Sequence, residues 1–216
     1  MLQFFERIKV FFGTQTGCKF QTHVPAVKIA VEIVEKSLHR CVVAVVQSGA
    51  CAYVHYRSVF VSVHMGYGGI NALSGHMDAL SRRRNRITVL TPHEGEFVRA
   101  GGDLSPGRER AAADFAREHG VYLVLKGPGT IAAAPDGRCM RNPTGNCGMA
   151  KGGSGDVLTG LLTGLLAQGM EPFDACCAAV WIHGRAGDMA AEEKGRRGMT
   201  PADMIEKLPY ALKEVE

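Results

Sequence analysis

The run Asn142-Pro-Thr-Gly-Asn-Cys-Gly-Met-Ala-Lys-Gly-Gly-Ser-Gly-Asp156 decides how this chain is interpreted. The glycines at 152, 153 and 155 allow a tight turn just before an apolar stretch that is predicted to be a helix. The free N–H groups at the N-terminus of that helix can bind an anion. Asp156 stands where the helix begins, and two interpretations of it stay open. Its carboxylate acts only as an N-cap, or it takes a proton from a substrate hydroxyl while the amides stabilise a transferred phosphoryl group.

Outward from this run, short apolar segments alternate with segments of helical periodicity, which predicts a mainly parallel sheet covered by helices. The predicted strands are 41–46, 59–63, 87–90, 121–125 and 130–133. The predicted helices are 24–38, 71–82, 106–118, 156–166, 172–193 and 201–213. Pro106, Pro172 and Pro201 each suit a first helical turn. Asp136-Gly137 predicts a hairpin, and therefore an antiparallel edge.

Two polar segments follow predicted strands, where ligands collect in open α/β sheets. In Lys126-Gly-Pro-Gly-Thr130, the lysine ammonium can bind a phosphate, and the glycines allow a nucleotide to come close to the backbone. The alternative interpretation is a surface turn with a solvated lysine. His93 follows the strand at 87–90. Its imidazole either hydrogen-bonds a polar substrate or has a structural role in a turn.

Composition narrows the class of protein. The 216 residues are 46% hydrophobic and carry a formal net charge of only +4. The basic cluster at 82–86 is short and lacks aromatic residues. A mild charge and such a cluster argue against a nucleic-acid partner. No stretch is apolar enough to span a membrane. The seven cysteines form no C-x-x-C motif, so they predict neither a disulfide framework nor a zinc site. A reducing cytoplasm fits this pattern best. Adjacent Cys176 and Cys177 lie in an apolar run and are expected to be buried.

Four motifs occur in an order that resembles one enzyme family, the ADP- or ATP-dependent NAD(P)H-hydrate dehydratases of the ribokinase-like superfamily. They are the run at 142–169, Leu-Thr-Pro-His-Glu-Gly-Glu-Phe at 90–97, Val-Leu-Lys-Gly-Pro-Gly-Thr at 124–130, and His-Gly-Arg-Ala-Gly-Asp at 183–188 followed by Ala-Ala-Glu-Glu-Lys-Gly at 190–195. The resemblance covers roughly residues 69 to 216. It implies one α/β domain with a three-layer α/β/α ribokinase-like fold and a mostly parallel central sheet.

The resemblance also implies the roles of particular residues. His93 contacts the hydrate, Asp156 lies against it as the base, and Glu96 helps to organise Mg²⁺ through water. The residues implied in adenine-nucleotide binding are Lys126, Gly127, Pro128, Gly129, Thr130 and Gly155. The implied reaction uses ADP or ATP to phosphorylate the ring hydroxyl of an NADH or NADPH hydrate, and loss of phosphate restores NAD(P)H. For His183, Arg185 and Asp188, in a long and largely apolar helix, we expect structural roles.

The first 65 residues depart from the family pattern, since its glycine-rich loops and aspartate-containing strand are not clear there. This predicts a divergent or truncated N-terminal half, and exposed sheet edges that favour a homo-oligomer. Three hypotheses of function therefore stay open: the dehydratase, a ribokinase-like kinase of a small molecule such as a vitamin precursor, and a nucleotide-binding remnant without catalysis.

Overall fold

The computed structural model describes residues 42–45, 51–56, 59–64, 70, 73–78, 80 and 87–215, with the backbone alone for the first three ranges. The predicted helix 24–38 and the basic cluster 82–86 lie outside the described residues. Of the predicted helix 71–82, residues 73–78 and 80 are described, and a continuous helix there is wrong because Gly75 lies in a turn with φ 76°. The chain divides into two compact units, Cys41–Asn142 and Pro143–Glu216, the second together with Met1–Arg40.

The unit at 41–142 contains a sheet whose seven described strands pair in chain order. They are β1 (Val42–Val45), β2 (Cys51–Tyr56), β3 (Val59–His64), β4 (Thr88–Leu90), β5 (Tyr122–Leu125), β6 (Ile131–Ala133) and β7 (Cys139–Arg141). Strands β3, β4 and β5 are parallel, with Ser62 beside Thr88 and Val89 beside Tyr122. The hairpin predicted at Asp136-Gly137 joins β6 to β7.

The expectation of a mostly parallel sheet needs correction, because four of the six pairings among these strands are antiparallel. Connection length explains the difference. Parallel neighbours need a crossover of about a dozen residues or more. Only the links across 65–87 and 91–121 are that long, whereas the link from β2 to β3 has two residues and that from β5 to β6 has five.

Two helices cover part of this sheet: α1 (Glu94–Arg99) and α2 (Arg108–His119). Their aromatic rings meet in the core, where the centroids of Phe97 and Phe115 lie 4.9 Å apart. Helix α2 begins two residues later than the position of Pro106 predicts, because Gly107 is its N-cap with φ 94°. Gly120 ends the helix in the left-handed conformation, as is common for glycine at a helix C-terminus.

The unit at 143–216 is helical in its described part. A 3₁₀ turn at Cys147–Met149 precedes α3 (Ser154–Ala167), α4 (Pro172–Gly198) and α5 (Pro201–Lys213). Gly195 interrupts α4 with φ 72° and ψ 151°. Cys176 and Cys177 are fully buried in α4, as predicted. Pro172 and Pro201 occupy first helical turns, also as predicted. No helix in the described ranges is both long and apolar enough to cross a membrane.

Candidate functional site

The first part of the candidate site lies just beyond the carboxyl ends of β4 and β5. The two strands are parallel neighbours, and one further bridge pairs His93 with Lys126. The Lys126 N–H donates to the carbonyl of Pro92 at 2.7 Å. Two residues that are 33 positions apart in the sequence are therefore held side by side by the sheet itself.

Glu96 supplies a buried carboxylate to this cluster. Its side chain is 2% exposed, and Oε2 accepts a hydrogen bond from the His93 N–H at 2.8 Å. The ammonium nitrogen of Lys126 lies 3.8 Å from the same oxygen. Because a buried charge is stable only when it is paired or hydrogen-bonded, Glu96 holds Lys126 beside the strand ends. Lys126 is 24% exposed, so it is not a fully solvated surface lysine.

His93 is the N-cap of α1, a helix that the sequence did not predict. Its Nδ1 accepts the N–H of Glu96 at 3.2 Å, and with the bond from His93 N–H to Glu96 this completes a capping box. An acceptor Nδ1 places the proton of the neutral imidazole on Nε2. The His93 side chain is 48% exposed, so a structural role leaves Nε2 accessible to a ligand.

The segment Lys126–Thr130, called here the nucleotide turn, is held from inside and from α2. The Thr130 hydroxyl donates to the carbonyl of Gly127 at 3.1 Å. Arg108 donates to the carbonyl of Pro128 and lies at longer range from the carbonyls of Gly129 and Lys126. It also lies 3.5 Å from the carbonyl of Leu125, just before the segment. Sequence reasoning missed Arg108. The available signal was that Arg108 lies in the first turn of α2, where a positive charge interacts unfavourably with the helix dipole. An arginine at such a position suggests a separate interaction partner that compensates.

The second part of the candidate site is the N-terminus of α3. Gly153 is the N-cap with φ 92°, and it provides no side-chain cap. A left-handed N-cap of this kind suits glycine, because other residues would be strained there. Among the described residues, the N–H groups of Gly152, Gly153 and Gly155 donate no hydrogen bond. They are the free donors that the sequence predicted.

Asp156 is the third residue of α3, so the N-cap interpretation of this residue is wrong. Its side chain is exposed. No described residue forms a hydrogen bond or ion pair with its carboxylate. The Asp156 side chain is therefore open to a ligand at the start of α3.

The loop that leads to α3 is fixed by α4. Asp188 accepts hydrogen bonds from the Gly145 N–H and from the Asn146 side chain, both at 2.9 Å. Thr144 donates to the carbonyl of Trp181 at 2.9 Å. His183 is buried with Nε2 2.9 Å from the carbonyl oxygen of Ser154. The structural roles expected for Asp188 and His183 agree with these contacts, which support the start of α3.

The predicted site residues are divided between the two units. His93, Glu96 and the nucleotide turn come together in the unit at 41–142, and Gly155 and Asp156 are adjacent in the unit at 143–216. In the described part of the chain, no three His, Cys, Asp or Glu side chains lie close enough to hold a metal ion.

A family model described as NAD(P)H-hydrate dehydratase matches residues 52–210. The chain belongs to this family. It is 47% identical over 151 residues to a bifunctional NAD(P)H-hydrate repair enzyme of Moorella thermoacetica, a match that covers 68% of this chain and 28% of the relative. It is 37% identical over 138 residues to the ADP-dependent (S)-NAD(P)H-hydrate dehydratase of Bacillus subtilis, covering 62% of this chain and 50% of that enzyme.

Solved structures agree with the family and the fold. The ADP/ATP-dependent NAD(P)H-hydrate dehydratase of Bacillus subtilis, co-crystallised with ATP and Mg²⁺, matches with a TM-score of 0.58 over 61% of this chain and 49% of that one. A ribokinase-like protein of Enterococcus faecalis, 24% identical, matches with a TM-score of 0.55 over 72% of this chain and 63% of that one. The ribokinase-like α/β fold is confirmed. The chain spans half or less of the length of the two curated relatives described above.

Proposed function

We propose that this protein uses ADP or ATP to dehydrate the hydrate of NADH or NADPH and so restores the reduced nucleotide. Membership of the dehydratase family gives the reaction class. The observation that carries the proposal is the exposed Asp156 carboxylate, without a partner among the described residues, beside the free amides at the start of α3. A base and a set of anion donors in one helical turn suit phosphorylation of a hydroxyl group.

In the proposed reaction, Asp156 takes the proton from the hydrate's ring hydroxyl as the hydroxyl oxygen attacks the terminal phosphorus of the nucleotide. The phosphorus–oxygen bond to the rest of the nucleotide breaks, and AMP leaves from ADP or ADP leaves from ATP. The amides of Gly152, Gly153 and Gly155 stabilise the charge on the transferred phosphoryl group. The lone pair of the ring nitrogen then expels phosphate as the carbon–oxygen bond breaks. Loss of a proton from the neighbouring ring carbon re-forms the carbon–carbon double bond of the reduced nicotinamide ring. Phosphorylation is needed because hydroxide is a poor leaving group.

The remaining predicted residues bind the two substrates. His93 donates from Nε2 to a polar group of the hydrate, since Nδ1 is occupied in the capping box. Lys126 and the rest of the nucleotide turn, Gly127 to Thr130, bind the adenine nucleotide with Gly155. Mg²⁺ enters with the nucleotide phosphates and keeps several water ligands, as this ion usually does. Such a site needs few protein carboxylates.

The test is recovery of the near-ultraviolet absorbance of the reduced nicotinamide ring from NADH hydrate, with Mg²⁺ and either ADP or ATP. We expect Asp156→Asn to lower kcat by about a hundredfold or more, the usual effect of losing a general base, while nucleotide affinity is preserved. Asp114→Asn is the matched control, because Asp114 is an exposed carboxylate in α2 whose partners are two surface arginines. Its kcat is expected to equal that of the unmodified protein.

Two results would overturn the proposal. A stable phosphorylated alcohol in place of NADH would make the protein a kinase of the same superfamily. Nucleotide binding without turnover, unchanged in Asp156→Asn, would make it a nucleotide-binding protein that has lost catalysis.

A further inference from the structure

The guanidinium of Arg108 lies among the backbone carbonyl groups of the nucleotide turn. Nη1 donates to the carbonyl of Pro128 and lies 3.4 Å from that of Gly129. Nη2 lies 3.5 Å from the carbonyl of Leu125 and 3.4 Å from that of Lys126. The first contact is a hydrogen bond, and the other three are long and individually weak. Together they direct the carbonyl groups of the turn toward one cation.

The same side chain contacts α1. Its Nε lies 2.9 Å from Oε1 of Glu94, the residue directly after His93. The Arg108 side chain is 22% exposed and the Glu94 side chain 47%, so the ion pair is only partly shielded from solvent. Arg108 therefore joins the start of α1, the start of α2 and the nucleotide turn.

We propose that Arg108 is a positioning residue for the nucleotide, acting through the turn rather than by contact with the reacting atoms. The inference rests on the proposed function, in which the turn binds ADP or ATP. With its carbonyl groups held toward Arg108, the turn is already ordered before the nucleotide arrives. Without the guanidinium, binding must supply the cost of ordering the turn, so affinity falls.

The effect belongs to nucleotide binding and not to the chemical step. Arg108 is in the unit at 41–142, together with the turn, and the proposed base Asp156 is in the other unit. A change at Arg108 is therefore expected to raise the nucleotide Kd and KM and to leave kcat at saturating nucleotide within about twofold. A residue that only stabilised the fold would lower the amount of active protein without changing KM.

The experiment compares Arg108→Met with Arg110→Met by calorimetric titration of Mg-ADP in the absence of hydrate, and then by steady-state kinetics. Arg110 is on the same helix, is 77% exposed and pairs only with Asp114 among the described residues. We expect Arg108→Met to weaken ADP binding by about tenfold, the effect of losing one good charge-assisted hydrogen bond. Arg110→Met is expected to bind ADP as the unmodified protein does.

Two further variants keep the test decisive if Arg108→Met fails to fold. Arg108→Lys retains the charge beside Glu94 but not the fork of donors, so its ADP affinity is expected between those of the methionine variant and the unmodified protein. Glu94→Gln removes the ion pair alone and is expected to weaken binding by about twofold to threefold. Hydrogen exchange of the peptide spanning 122–131, measured without ligand, reports directly on order in the turn.

The outcomes separate this inference from the proposed function. If the turn exchanges faster in Arg108→Met but the ADP Kd equals that of Arg110→Met, Arg108 has only a structural role and the inference is overturned. If the unmodified protein binds ADP but never restores NADH, the proposed dehydratase fails, while the ADP titrations still decide the role of Arg108. Absence of ADP binding in a folded, unmodified protein would overturn both.

Discussion

The imidazole of His93 uses its two nitrogens for different purposes. Nδ1 caps α1 by accepting the N–H of Glu96, whereas Nε2 lies 3.8 Å from the Glu96 carboxylate, too far for a hydrogen bond. A structural histidine and a substrate-binding histidine, which the sequence analysis treated as alternatives, are compatible in one residue. The cap fixes the ring and determines which nitrogen is free to donate.

Two substitutions of His93 separate these purposes. His93→Asn keeps a good N-cap, so the free energy of unfolding is expected to stay within about 0.5 kcal/mol, whereas His93→Ala is expected to lose about 1 kcal/mol. Both variants lack the imidazole, and both are expected to raise the KM for NADH hydrate by about tenfold at unchanged KM for ADP. Denaturant unfolding and steady-state kinetics measure the two effects. An unchanged hydrate KM in His93→Asn would limit His93 to capping.

The predictability of the site differs from residue to residue. Asp156, His93 and the nucleotide turn were singled out because they follow strands or begin a helix and because they lie in the family motifs, and their roles stay predictions. Arg108 was missed because its partners in the nucleotide turn are backbone carbonyls, and its unfavourable place in the first turn of α2 was the only signal in the sequence. The burial of Glu96, at 2% exposure, was equally invisible, since a Glu in a polar segment is usually solvated.

At the scale of elements, helices α2 to α5 and most of the described strands were predicted, whereas helix α1 and strand β2 were missed. Helix α5 was predicted with its observed ends, Pro201 and Lys213, because proline and a capping threonine mark its start. Helix α1 has only six residues and cannot show helical periodicity. Strand β2 was missed because Arg57-Ser58, between β2 and β3, lacks the Asn-Gly or Asp-Gly signal of a tight hairpin.

Helix α4 holds the loop at 144–146 at very short range, and Gly184 makes this possible. A Cβ at Gly184 would lie 2.2 Å from the Thr144 hydroxyl oxygen and 2.8 Å from the Thr144 carbonyl carbon. We expect Gly184→Ala to lower the free energy of unfolding by about 1–3 kcal/mol, the usual cost of overpacking. Gly198→Ala, where a Cβ meets nothing within 4 Å, is the control and should change stability by less than about 0.5 kcal/mol.

Denaturant unfolding of the two variants is the measurement. Equal stability of both would mean that the loop at 144–146 moves away from α4 at little cost. The contacts of Thr144 and Asp188 would then not fix the start of α3.

The N-terminal cap of α5 predicts a dependence of stability on pH. The Thr200 hydroxyl, and then the Thr200 N–H, donate to the carboxylate of Asp203 and lower its pKa from the ordinary value of 3.8. A lowered pKa in the folded state means that the cap stabilises the protein above about pH 4 and that this contribution is lost as the pH falls through the folded pKa. Its size is under about 1 kcal/mol, because the carboxylate is partly exposed.

The measurement is the difference in unfolding free energy between the unmodified protein and Asp203→Asn. We expect this difference to shrink as the pH is lowered from 6 to about 3. A difference that stays constant over this range would show that the ionised carboxylate of Asp203 does not contribute to the cap.

At the scale of the whole molecule, the arrangement of the sheet depends on strands that come before the family motifs. The described strands pair in chain order, so β3 covers one side of β4 and β5 covers the other. Thr88, Val89 and Leu90 in β4 are all buried. The sequence analysis placed the resemblance from about residue 69 onward, and the strands β1 to β3 lie before that point. The apolar runs at 41–46 and 59–63 predicted β1 and β3, but neither β2 nor the pairing of β3 with β4 was predicted.

Removal of these three strands is expected to expose β4 as an apolar sheet edge. A chain that begins at residue 66 lacks β1 to β3, whereas one that begins at Cys41 keeps all seven described strands, and both lack 1–40. Unpaired N–H and C=O groups beside buried apolar side chains favour edge-to-edge association. We therefore expect the shorter chain to form larger species than the longer one in size-exclusion chromatography with light scattering at equal concentration. If both chains elute as the same species, pairing of β3 with β4 does not protect the sheet, and any oligomer of this protein forms through another surface.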